Sequence, residues 1–144
     1  MSNKNNDDLK RQASENTLGL NPIIALRKKD LLASARMVLT QAIKQPLHSV
    51  KHVAHFGVEL KNVVFGKSEL APESDDRRFN DPAWSQNPLY KRYLQTYLAW
   101  RKELHDWIDD SNLEPKDVAR GHFVINLMTE AMAPTNSAAN PAAV

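Results

Sequence analysis

The 144-residue chain has no cysteine, so it holds no disulfide framework and offers no thiol chemistry. Its four glycines form no phosphate-cradling loop, and no G-x-S-x-G nucleophile turn is present. No apolar run approaches the roughly 18 residues that span a bilayer. The N-terminus is polar and lacks the apolar core of a secretory signal. These absences fit a single cytosolic domain. Charge of one sign is also scarce, at a net +2. It is spread unevenly. Residues 1–66 carry ten Lys and Arg against five Asp and Glu, and residues 67–144 carry nine against twelve. A surplus of five cations with no accompanying motif does not indicate a nucleic-acid partner.

What remains is helical patterning. Residues 1–20 are polar and Asn-rich without period, and read as a disordered head. Asn21-Pro22 can open a short turn, and from Asp30 a helical stripe begins. Leu31, Leu32, Ala35, Val38, Leu39, Ala42 and Ile43 share that stripe, and Pro46 ends it. A second helix is predicted over about 47–65. Val50, Val53, Ala54, Gly57, Leu60 and Val64 form its apolar face, and Gly66 stops it. Residues 21–66 thus form a basic amphipathic pair. Residues 67–86 read as an ordered connector, because Phe79 and Trp84 would be wasted in solvent. A third helix starts at an Asn87 cap with Pro88 at its first position. Leu89, Tyr90, Tyr93, Leu94, Tyr97, Trp100, Leu104, Trp107 and Ile108 line one face, with Gln95 and Glu103 on the polar side. Ser111-Asn112 breaks it. A fourth helix runs from near Pro115 to before Pro134, apolar around more than half its circumference. Residues 134–144 read as the start of a linker. The fold class is all-α, with about four amphipathic helices.

Several constellations invite chemistry. His48, His52, His55 and Glu59 fall in one narrow helical sector, a spacing metal sites use. The apolar stripe lies opposite and Lys51 and Asn62 share the sector. A solvated helix face is therefore the expectation, with no metal and no cofactor. The Tyr and Trp stripe of the third helix reads as core or interface rather than a ligand site. Asp75–Trp84 matches no acid–base template. Its arginines are expected to tie the connector to nearby carboxylates, with Phe79 and Trp84 as anchors. His105 and His122 lack a Ser or Cys partner.

Four segments together carry a family resemblance: 29–39 (KDLLASARMVL), 50–57 (VKHVAHFG), 75–90 (DDRRFNDPAWSQNPLY) and 121–136 (GHFVINLMTEAMAPTN). They resemble the N-terminal region of polyhydroxyalkanoate synthases, closest to the medium-chain-length (class II) enzymes. Those acyltransferases polymerise (R)-3-hydroxyacyl-coenzyme A on an α/β-hydrolase domain carrying a Cys-Asp-His set. None of the three catalytic residues has a counterpart here, so the resemblance implies that this chain is inactive alone. It implies an accessory role: attachment to the polyester granule or its coating proteins, dimerisation, and support of the catalytic domain of the same synthase, in the cytoplasm at granules. The granule-contact candidates are the seven stripe residues from Leu31 to Ile43. The docking candidates are Arg77, Arg78, Phe79, Trp84, Tyr93, Tyr97, Trp100 and Trp107. A free-standing helical adaptor for an apolar surface or a partner protein is the alternative from a different class.

Overall fold

The computed structural model describes the backbone of residues 21–138, 140 and 141, and side chains from residue 29 onward. The head expected at 1–20 lies outside the described residues. The fold is all-α, with no strand among the described residues. Among the described residues five helices follow one another: α1 (Asn21–Lys44), α2 (Pro46–Val64), α3 (Ala83–Gln86), α4 (Pro88–Asp109) and α5 (Pro115–Ala131). Single 3-10 turns lie at Arg77–Phe79 and Pro134–Asn136.

The boundaries follow local chemistry. Gln45 leaves helical geometry one residue before Pro46, as the clash of a proline ring with the preceding backbone requires. At the end of α2, Gly66 takes a positive φ of 69°. Its N–H donates to Val63 O at 3.1 Å, and that of Lys67 to Asn62 O at 2.7 Å, the paired bonds of a Schellman stop. Asn87 caps α4 by accepting from the N–H of Leu89 and of Tyr90. Asn112 turns the chain after α4 with a positive φ of 54°. The start of α1 differs from expectation. The helix begins at Asn21, not Asp30, because the 21–29 segment contains no breaker beyond Pro22, which sits where proline is tolerated.

Helix α4 is the hub, packing against α2, α3 and α5, while α1 lies on α5 and α2. Two apolar clusters result. One joins Phe79, Trp84, Leu94, Tyr97 and Ala133; the other joins Trp107, Ile108 and Ile125, with Val38, Ala42, Leu104 and Leu113 around them. The α4–α5 crossing is close at Gly121, where a Cβ would lie 2.3 Å from Ile108 Cγ1. Only glycine fits there without a shift of Ile108.

Candidate functional site

The connector anchor is built as its residue types dictate. Phe79 and Trp84 meet edge to face at 5.4 Å, and Tyr90 stands against Trp84 at 5.5 Å. Trp84 is 1% exposed, and its Nε1 has no acceptor among the described residues. Tyr97 Oη donates to Thr129 O, and burial pushes its phenol above the ordinary value. The Arg78 guanidinium forks onto Asp76, with Nε–Oδ1 at 2.8 Å and Nη2–Oδ2 at 2.7 Å, and also pairs with Glu130 of α5. That fork holds the Asp76 carboxyl below its usual range and raises Arg78. Arg77 is exposed. Of the docking candidates, Phe79, Trp84, Tyr97 and Trp107 are buried within this chain. Phe79, Trp84 and Tyr97 pack in one apolar cluster of the chain and Trp107 in the other. Tyr93 stays exposed and Trp100 half-buried.

Helix α2 reverses the expected orientation. The histidine sector faces α4, and the apolar stripe faces outward. His52 is 4% exposed, whereas Val50 is 64% exposed, and Val53, Val58 and Val64 are exposed with it. The physical reason lies on α4. Its α2-facing side presents Glu103, Trp107 and, beyond the last turn, Asp110, so imidazoles find partners that valines cannot. His52 Nδ1 lies 2.5 Å from Glu103 Oε1, and His55 Nδ1 lies 3.6 Å from the same oxygen. His48 Nε2 is 3.0 Å from Trp107 O, and Trp107 Nε1 donates to Ser49 Oγ. Glu59 stands apart from this centre, accepting from Ser68 Oγ and Asn62 Nδ2.

Glu103 and Gln95 had been placed with the polar face of the third helix. Both instead make tertiary contacts. Gln95 is buried and its Nε2 donates to Ser68 O and Leu70 O, fixing the connector. No local pattern links His52 to Glu103 across 51 residues of sequence. The one available signal was the surplus of hydrogen-bonding groups on α2's histidine face.

The α1 stripe divides. Val38 and Ala42 pack on the Trp107–Ile108–Ile125 cluster, and Leu31 and Ala35 are half-buried. Leu32, Leu39 and Ile43 are exposed, Ile43 by 79%. Between them, Gln41 and Gln45 both donate to Ser111 O, so polar residues carry part of the inward face. An open groove of about 410 Å³ runs between α1, α2 and α4, lined by Val38, Leu39, Val53, Phe56, Trp100 and Leu104 among others. Leu47, 85% exposed, and Phe65, at the two ends of α2, are exposed as well. On α5, Phe123, Leu127, Met128 and Met132 are also exposed, so the over-apolar helix keeps an uncovered face.

His105 and His122 stack, with Nδ1 atoms 2.5 Å apart. His122 Nε2 reaches Asp109 at 2.6 Å, and His105 Nε2 lies 3.1 Å from Asn126 Oδ1. Burial, then the neighbouring His122, lowers the His105 pKa. The pair ties α4 to α5.

Residues 75–144 match the family model described as "Poly-beta-hydroxybutyrate polymerase (PhaC) N-terminus". Over all 144 residues the chain is 79% identical to poly(3-hydroxyalkanoate) polymerase 1 of Ectopseudomonas oleovorans, covering 26% of that protein. The chain belongs to the polyhydroxyalkanoate polymerase family. It is also 47% identical over 124 residues to poly(3-hydroxyalkanoate) polymerase 2 of the same organism, covering 86% of this chain and 22% of that one. The chain therefore spans about a quarter of the length of these relatives and corresponds to their N-terminal region. No solved structure matches it. Within the polymerase family model, the matched span holds the Asp76–Arg78–Glu130 fork, the Trp84 anchor, α4 and α5. Helices α1 and α2 lie before it. No described helix is long and apolar enough to cross a membrane.

Proposed function

We propose that this chain is the accessory N-terminal region of a polymerase that joins (R)-3-hydroxyacyl-coenzyme A units into storage polyester, and that it attaches the enzyme to the polyester granule through α1 and α2. The observation that carries this reading is the set of exposed apolar side chains on the two helices: Leu39 and Ile43 of α1, and Leu47, Val50 and Val53 of α2, with Leu39 and Val53 lining one open groove. Large apolar side chains gathered around an open groove mark an interaction site on a protein surface. Arg36 and Lys44, both exposed, flank it and suit an anionic lipid or protein coat on the same granule. The exposed face of α5 serves the catalytic domain of the same polymerase, and the Trp84 core holds α4 and α5 rigid beneath it. The chain itself supplies no thiolate, so acyl transfer belongs to the remainder of the enzyme.

Granule attachment is tested with purified polyester granules and a fluorescent-protein fusion of residues 1–144. The wild type co-sediments with granules. Ile43→Asp with Val50→Asp leaves it in the supernatant while circular dichroism is unchanged. Retention of the folded double variant on granules overturns the assignment of α1 and α2.

A further inference from the structure

We propose that His52, His55 and Glu103 form a binding site for a divalent transition-metal cation of the zinc class. One ligand atom from each lies within 4.8 Å of the other two. Two imidazoles and one carboxylate, with a fourth position open to water, is a donor set zinc takes. His52 and His55, three residues apart on α2, share a face; Glu103 arrives from α4. Metal–ligand bonds of about 2.0–2.1 Å place tetrahedral ligands roughly 3.3 Å apart. His55 Nδ1 and Glu103 Oε1, at 3.6 Å, already stand near that separation. His52 Nδ1 is drawn to the same oxygen at 2.5 Å, so a cation between them needs only a small side-chain adjustment.

A plain hydrogen-bond clamp between α2 and α4 accounts for His52 and Glu103 but not for two further observations. His52 Nε2 is buried and has no hydrogen-bond partner among the described residues, yet Asp110 Oδ2 lies 3.5 Å away. With Nδ1 on a metal, Nε2 carries the proton, and a carboxylate beside it is the usual outer partner of a metal-bound histidine. His55, by contrast, gains no burial from its place. Its side chain is 55% exposed but still stands beside the Glu103 oxygen. That half-open edge gives an ion a path from solvent and leaves room for a water ligand. Bound there, the cation cross-links α2 to α4.

The test uses the 144-residue chain without an affinity tag, titrated with Zn²⁺ alone by calorimetry and with Co²⁺ by visible absorption. The wild type binds one ion per chain at micromolar concentration, and Co²⁺ gives the intense bands of a tetrahedral site. His55→Gln, at a half-exposed position, keeps the fold and weakens binding by about a hundredfold or more, beyond the 10–100-fold typical of outer-shell losses. Glu103→Gln does the same and abolishes the cobalt bands. Glu59→Gln, outside the cluster, binds as wild type. Absence of saturable binding by the wild type, or unchanged affinity in folded His55→Gln, overturns the proposal.

Discussion

The two halves of the molecule dispose of their apolar residues in opposite ways. In the half built on α3, α4 and α5, large rings turn inward: Trp84, Tyr97 and Trp107 are buried within the chain. In the half built on α1 and α2, polar Ser34, Gln41, Gln45, His48 and His52 share the inward face with Val38, Ala42 and Val63, while Leu32, Leu39, Leu47, Val50, Val53, Val58 and Val64 are exposed. The first half holds most of the buried core, though α5 leaves Phe123 and Leu127 exposed. The second leaves large apolar side chains on both of its helices exposed. An amphipathic pattern thus fixes that a helix has two faces, while its neighbours decide which one is buried.

The sharpest break of this contrast is in the core. Trp84→Ala should destabilise the chain by about 3–5 kcal/mol, the usual effect of emptying a buried aromatic site. Thermal melting followed by circular dichroism checks this. Next is the close crossing of α4 and α5. Gly121→Ala forces its Cβ onto Ile108, which is wholly buried, and should cost about 1–3 kcal/mol as overpacking does. A denaturant titration measures it, and a neutral result would show that Ile108 moves freely.

In the half built on α1 and α2 the same chemistry should do far less. Val50→Ser removes an apolar side chain that touches solvent, so stability should move by no more than about 0.5 kcal/mol. A fall comparable to that of Trp84→Ala would mean that the valine face packs inward. The smallest effect concerns pH. His105 has its pKa lowered in the folded chain, so the unfolded chain binds more protons below the ordinary histidine value of about 6.5. The stability this group contributes is fully present above pH 6.5 and is lost as pH falls below it. His105→Gln should flatten the melting profile below about pH 6.5. An unchanged slope there would remove His105 as its source.

Much of the architecture was legible in the sequence. Helix α4 starts at its Asn87 cap with Pro88 in the first turn, and Leu94, Tyr97, Trp107 and Ile108 are buried on the face their spacing marks. The Gly66 stop and the Asn112 break are backbone requirements written in single residues. The tie of Arg78 to nearby carboxylates was also readable, since a guanidinium among carboxylates has few other uses. The orientation of α2 was not. Hydrophobicity alone put Val50 inside and His52 outside, and the deciding groups, Glu103 and Asp110, lie more than fifty residues away. Membership of α1's stripe was likewise only half readable. Val38 and Ala42 meet the core, while Leu39 and Ile43, in the same stripe, are largely exposed. One stripe is wider than the contact made by the two helices beneath it.

The absence of cysteine makes the central claim directly measurable. Single thiols placed at Val50 and at His52, each in an otherwise unaltered chain with folding verified by circular dichroism, report which face of α2 is open. The Val50→Cys thiol should react with a soluble disulfide reagent at nearly the rate of a free thiol, and the His52→Cys thiol should be strongly protected. A protected Val50→Cys beside a freely reacting His52→Cys would contradict the account.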